Sequence, residues 1–270
     1  MGRLGKLEAR RLAAPDQQIS LTDPDARSMA TSGRGSGMVG YNVQASVDTK
    51  HHLIVAHEVT NEGTDRAQLS NMAKQTKAAL EADELDAVAD RGYFSSEEIL
   101  ACEEAGITVT LPKPLTSGSR AKGRFVKQDF RYLAADDVYL CPAGERLVYH
   151  YTNQEKGLVL HRYWTNACQG CVLKGRCTTG KERRITRWQH EHVLEAVQRR
   201  LDEHPEKMRQ RRETVEHPFG TIKAWMGATH FQMKTLKKVA TEMALHVLAY
   251  NLKRVINIIG IAPLIAAIKV

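Results

Sequence analysis

Between Tyr41 and Leu111 the apolar residues alternate between a period of two and a helical period, and that switching confines the chain to an α/β architecture. Tyr41 to Val47 and Leu53 to Thr60 are β-prone runs joined by Asp48-Thr-Lys-His-His52, which reads as an antiparallel hairpin. Asp65 to Ala82 then places Leu69, Met72, Ala73 and Leu80 on one helical face. Leu85 to Ala89 is a short buried strand. Ser95 or Ser96 caps a helix reaching Glu104, Gly106 stops it, and Ile107 to Leu111 is the next strand. Strands linked through a helix pair in parallel, whereas the hairpin ahead of them is antiparallel. Counting Gln17 to Leu21 as a first short extended segment gives the order strand, strand, strand, helix, strand, helix, strand. The expected fold class is α/β, a mixed sheet with flanking helices.

That order puts Asp90, in Ala89-Asp90-Arg91-Gly92-Tyr93, at the carboxyl end of a central parallel strand, where open α/β sheets bind ligands. A second acid lies between Arg211 and Lys223, where Arg212, Glu216 and Lys223 have the spacing Arg-x3-Glu-x6-Lys. At about 100° per residue those offsets bring the three side chains within roughly 40° on one helix face. A carboxylate flanked by two cations suits a metal ion and a phosphate. Asp90 and Glu216 would supply the one or two carboxylates that Mg²⁺ or Mn²⁺ takes while leaving positions for phosphate oxygens. Read singly, Asp90 is a strand-end cap and Glu216 a surface partner of Arg212 at i,i+4; the joint spacing and context favour the site. Pro218 predicts a kink or a fresh helix start near Glu216.

Together these segments resemble the DDE transposases of bacterial insertion sequences. The last acid of that family stands in Tyr-x2-Arg-x3-Glu-x6-Lys and its middle acid in an Ala-Asp-x-Gly-Tyr context; Arg209 occupies the Tyr position here. The resemblance covers Gln18 to Arg254. It implies a ribonuclease-H-like catalytic domain acting on double-stranded DNA, both element ends and target. The implied reaction is Mg²⁺-dependent hydrolysis at the element ends, followed by attack of the freed 3′-hydroxyl on target DNA. Asp90 and Glu216 would hold metal, and Arg212 and Lys223 would contact phosphates. For the first acid, Asp23, Asp25 and Asp48 are candidates. With Gln17 to Leu21 as the first strand, Asp23 falls at the sheet end occupied by Asp90, while Asp48 falls roughly 20 Å away. Asp23 is therefore placed in the site. With Tyr41 to Val47 as the first strand, Asp48 becomes the neighbour and the sheet loses a strand. In the family the first acid sits in an Asp-Gly-Thr-like strand upstream of a Thr-Asp-Pro-x-x-Arg-x-Met element, which is Thr22 to Met29 here, so the resemblance implies a truncated N-terminus.

Lys113 to Arg187 has few helical signals and contains four of the five cysteines. Cys141, Cys168, Cys171 and Cys177 give C-x26-C-x2-C-x5-C, a set suited to a structural Zn²⁺; free thiols are the alternative. Basic residues gather from Lys113 to Arg131 and again from Arg183 to Arg212, as a track for phosphates or, where Glu residues interleave, as a solvated helix face. The same two readings, base stacking or core packing, apply to Trp164, Trp188 and Trp225. A literal G-x-G-x-x-G at Gly35, Gly37 and Gly40 precedes a strand instead of a helix, which excludes dinucleotide binding there.

A formal charge of +8 favours a polyanionic partner, and 42% apolar residues in 270 suffice for one good core with a small satellite. The expected organisation is an N-terminal segment and flexible loop over 1–40, a catalytic domain over 41–112 and 188–256, a basic cysteine-rich insertion over 113–187, and an apolar tail over 257–270. That tail is broken by Gly260 and Pro263, and reads as buried or facing another copy, not as a membrane span. With no apolar leader at the start, the expected setting is the cytoplasm, beside the nucleoid. Three competing functions remain: a catalytically dead remnant that binds DNA, a nuclease without strand transfer, and a zinc-dependent nucleic-acid-binding module.

Overall fold

Helix α1 (Arg3–Ala13) opens the computed structural model, which describes residues 3–14, 17–29, 38–114 and 118–269. Gln17 to Leu21, expected as the first strand, forms none. Instead β1 (Arg27–Met29) pairs antiparallel with β2 (Met38–Gly40). The glycine-rich loop lies over residues 31–37, outside the described residues, and its last three expected positions are β2 itself. The hairpin forms as β3 (Asn42–Val47) against β4 (Ile54–Thr60), with Asp48 Oδ2 accepting from His51 N at 2.5 Å to tighten the turn.

Next come α2 (Leu69–Ala79), β5 (Leu85–Val88), α3 (Ser96–Glu104) and β6 (Ile107–Thr110), with β5 and β6 parallel as a helical crossover requires. Ser95 occupies the N-cap of α3, but its hydroxyl donates to Glu97 at 3.0 Å and caps no backbone group. Gly106 adopts φ 66°, a left-handed conformation that suits glycine as a helix stop.

Residues Pro114–Ala196 form a second compact unit, distinct from the first, which comprises Met1–Lys113 and Val197–Val270. The second unit carries β7 (Arg131–Leu133), β8 (Val138–Leu140), β9 (Arg146–Glu155), β10 (Leu158–Trp164), α4 (Lys174–Cys177) and β11 (Ile185–Trp188). Its five strands make one antiparallel sheet in the order β11-β10-β9-β8-β7. The sheet closes on Phe130, Tyr139, Leu147, Tyr163 and Ile185. Helix α5 (Glu191–Glu203) contains the boundary between the units.

The first unit resumes with α6 (Lys207–Gly220), α7 (Leu236–Ile259) and α8 (Ile261–Ile268). Pro218 does not interrupt α6 near Glu216; the helix runs on to Gly220 and then loosens into a π-helical turn over Thr221–Trp225. A missing N–H at Pro218 removes one ladder bond, and the wider turn follows within one helical repeat. α7 buries Val239, Met243, Val247 and Tyr250, spaced three to four residues apart on one face, against Ile54, Val59 and Ile222. α8 buries no residue, so of the two readings of the tail, buried or facing another copy, the first does not hold.

The strands of the first unit do not join into the continuous mixed sheet that their order suggests. Among the described residues β3–β4 and β5–β6 are separate pairs, held side by side because α2 packs on both. The overall class is mixed α/β.

Candidate active site

β5 delivers the chain to Asp90, which caps the short 3-10 turn Arg91–Tyr93 by accepting from Gly92 N at 2.8 Å. Its second oxygen accepts from the Arg211 guanidinium of α6 at 2.7 Å, so the two motif segments, 121 residues apart, meet here. Asp65, in the turn that precedes α2, stands beside them. Asn42 and Gln44 of β3 donate to one Asp65 oxygen at 2.7 and 2.8 Å, and Tyr93 donates its hydroxyl to Gln44. Glycine is required between the two acids: a Cβ on Gly92 would stand 2.9 Å from Asp90 Oδ1 and 3.3 Å from Asp65 Oδ2. Burial, followed by the charges of Asp65 and Asp90, pushes the Tyr93 hydroxyl above its ordinary pKa against the pull of Arg211. It therefore stays a neutral donor.

Asn42, Asp65, Asp90, Tyr93 and Arg211 line one cleft of about 410 Å³ walled by β3, β5, α2 and α6. The α6 residues that face it are Gln210, Arg211, Thr214, Val215 and Phe219. Arg212 and Glu216 lie outside that lining and are exposed, as is Lys223, whose Nζ sits 5.9 Å from the centre of the Phe219 ring. The cation that reaches Asp90 is thus Arg211, one residue before the expected Arg212. Lys223 falls in the π-helical turn, where the arithmetic of 100° per residue no longer holds.

Asp23 is elsewhere. It is buried, accepts from Tyr41 OH at 2.7 Å, and receives Thr235 N on both oxygens at 3.1 and 3.2 Å, while Asp25 accepts from Leu236 N at 2.8 Å. Two acids thereby satisfy backbone donors at the start of α7, and Asp23, expected in the site, is not among the residues that line the cleft of Asp90. Burial raises the Asp23 carboxyl, but the bonds from Tyr41, Asp25 and Thr235 and the charge of Lys234 outweigh it and hold the group below its ordinary value. Asp65 was missed because it was read as a helix start. No spacing marked it, since it follows the end of β4 by five residues and Glu62 lies nearer to that strand.

In the second unit Cys141, Cys168, Cys171 and Cys177 line a common cavity of about 20 Å³, floored by Phe125, Phe130 and Leu147. Burial raises the Cys177 thiol, Arg183 opposes the rise, and the other three cysteines add to it, so the four groups feel one another. The Nε of Arg183 is buried without a partner at the same cavity. Among the described residues, however, no group of three His, Cys, Asp or Glu side chains is placed to hold a metal ion, which applies to the cysteines and to the acids alike.

Part of the expected basic track is committed to structure. Arg187 is buried and paired with Glu195, Lys127 bridges to Glu191 at 2.7 Å, and Arg200 donates to Val109 O at 2.9 and 3.1 Å. Trp188 is buried and Trp164 stacks on His150, whereas Trp225 is 84% exposed. Residues 140–256 match the family described as transposase DDE domain. Neither the curated proteins nor the solved structures contain a match. The matched span holds Glu216, Arg212, Lys223 and the four cysteines, and stops short of Asp90 and Asp65 on the N-terminal side. The likeness to a transposase DDE domain therefore rests on residues 140–256, the part of the chain that carries Glu216.

Proposed function

We propose that the chain performs metal-dependent cleavage and strand transfer at the ends of an insertion-sequence element, with double-stranded DNA as both substrate and target. One observation carries the reading: Arg211, in the segment that holds Arg212 and Glu216, reaches Asp90 at 2.7 Å across 121 residues. The donor set suits a hard divalent cation, because Asp90 and Asp65 offer carboxylate oxygens on either side of Gly92 and Glu216 lies on the helix that supports them. Mg²⁺ or Mn²⁺ bound there would supply charge that activates the attacking oxygen and stabilises the leaving one. Arg211 holds Asp90 in place; Asn42 and Gln44 fix Asp65; Tyr93 remains a neutral donor at the rim. Arg212 and Lys223, exposed beside this helix, contact phosphates, and exposed Trp225 offers a face for stacking.

Cys141, Cys168, Cys171 and Cys177 hold a structural Zn²⁺ in this reading. Their shared cavity has room for one atom-sized occupant, and Arg183, whose Nε is buried there, would offset the negative charge of a tetrathiolate. Full-length protein should then contain one zinc per chain, with Cys171→Ser lowering that content; a wild-type protein free of zinc after purification without chelators refutes the site. Exposed Leu245, Leu248 and Leu252 on α7 suit a contact between copies.

The test of function is a cleavage and joining assay on duplex DNA bearing element ends, in Mg²⁺ or Mn²⁺. Asp90→Asn should reduce both steps on the order of a thousandfold while leaving DNA binding in place. Undiminished joining by Asp90→Asn would falsify the assignment. A second reading, a remnant that only binds DNA, is favoured by exposed Glu216 lying outside the cleft that Asp90 lines. Tight binding by a wild type that neither cuts nor joins would select it.

A further inference from the structure

The sheet of the second unit has two faces. One closes on Leu147, Tyr163 and Ile185, and we infer that the other is a stacking platform for an unpaired nucleic acid strand. Alternation sends successive residues of β9 to opposite faces, but a bulge interrupts it: Arg162 pairs with Tyr151 and Tyr163 with Tyr149, which leaves His150 as the extra residue. With Leu147 and Tyr163 turned to the core, Val148 and its partner Trp164 face outward, and the bulge turns both His150 and Tyr151 out beside the indole. His150 lies flat on Trp164, with ring centres 3.4 Å apart and planes within 4°, and its Nε2 stands 3.2 Å from Trp164 O. Tyr151 meets the same indole in a T-shape at 5.9 Å, and the Arg184 guanidinium stands 4.8 Å from its centre. His150 and Tyr151 are nonetheless exposed, Tyr151 at 44%. The His150 ring is thus held flat from beneath and presents its other face to solvent, so a ring stacking there meets a partner that is oriented beforehand.

Charge selects the occupant. Residues 114–196 contain 14 Lys and Arg against 8 Asp and Glu, so +6 of the chain's +8 lies in this unit. Exposed Lys156 lies in the turn that joins β9 to β10, and exposed Lys181 and Arg184 in the segment leading into β11, the strand beside β10. The acids of those two segments are paired, Glu155 with Arg162 and Glu182 with Arg184. A second copy would bring the same positive unit against this face and be repelled. A single strand of nucleic acid joins a flat ring to a phosphate at every position, which matches rings bordered by cations. In a duplex the faces of the bases are stacked on one another, so the rings offered here suit a strand whose bases are unpaired.

The experiment titrates the full chain, without divalent metal, into fluorescent strands of about 12 nucleotides and reads their anisotropy. His150→Ala and Tyr151→Ala, in protein that retains wild-type circular dichroism, should each weaken binding of oligo-dT about tenfold and leave a duplex of equal length bound as before. Tyr151→Phe, which keeps the ring, should bind oligo-dT as wild type does. A strand of abasic sites, which keeps the phosphates and lacks the rings, should bind wild type about tenfold more weakly than oligo-dT, a comparison that needs no variant. Oligo-dT and oligo-rU tell DNA from RNA as the source of the strand, and binding of either through His150 and Tyr151 supports the platform. Equal affinity for intact and abasic strands, alanine variants that bind oligo-dT as wild type does, or an equal loss on the duplex overturns it. A wild-type dimer in sedimentation that both alanine substitutions dissolve also overturns it, because the face would then join copies. The assay uses neither metal nor element ends, so its failure is distinguishable from failure of the catalytic reading.

Discussion

In the second unit each of β8, β9 and β10 has a neighbour on both sides, while among the described residues of the first unit six strands sit in three separate pairs. The difference lies in what fixes each strand. Tyr139 and Tyr163 of the second unit are each 2% exposed, with ring centres 5.2 Å apart and edge-on, and Tyr163 also donates to Asp137 at 2.7 Å. Packing there holds the ladder in register. β3 and β5 are instead positioned by helices, and the edges left open between them end at Asp65 and Asp90. The well-paired sheet closes on its own aromatic core; the interrupted one leaves a cleft.

The largest expected effect tests the first half of that contrast. Tyr163→Ala should destabilise the second unit by about 3–5 kcal/mol, because it removes a buried aromatic and leaves a cavity. Exchange should accelerate through β7 to β11 and change little in α7. Acceleration spread equally over both units would show that the sheet of the second unit has no stability of its own.

Much of the first unit was legible because period and turn chemistry are local. The hairpin and the β5-α3-β6 crossover both followed from the placement of apolar residues between Tyr41 and Leu111. The five-stranded sheet was not legible. β9 exposes Val148, Tyr149 and Tyr151 to solvent, so its alternation carries no clean apolar face. Within the site, Asp90 was readable from its strand-end position. Arg211 was not, since a helix rotation of one residue, about 100°, decides which of two adjacent arginines faces the cleft, and no motif spacing resolves that. Asp23 looked catalytic because a turn acid after an extended run has the same local sequence whether it binds metal or caps a helix 212 residues away.

A smaller effect compares the interiors directly. Ala87→Val adds volume where the cleft is open and should stay within about 0.5 kcal/mol of wild type. Leu147→Phe adds volume in the closed core of the second unit and should cost about 1–3 kcal/mol. Equal losses in urea unfolding would mean that the cleft is as tightly filled in solution as the tyrosine core.

The smallest effect concerns how the first unit is held together without a continuous sheet. Thr235 has φ 75°, an uncommon conformation for a residue with a Cβ, and Asp23 and Asp25 hold it there by accepting from Thr235 N and Leu236 N. Asp23→Ala should cost about 1–2 kcal/mol at pH 7, the range for loss of a helix cap. The folded-state pKa of Asp23 is lowered, so its contribution is fully present above the unfolded value of about 4 and disappears as pH falls through the lowered folded value. The gap in urea midpoint between wild type and Asp23→Ala should therefore be constant from pH 7 down to about 5 and narrow in stronger acid. A gap unchanged in strong acid would mean that the carboxylate charge contributes nothing to this junction. If Asp23→Ala, kept at a temperature where it is folded, lost joining activity as completely as Asp90→Asn, Asp23 would return to the site; retained joining confirms it as the cap of α7.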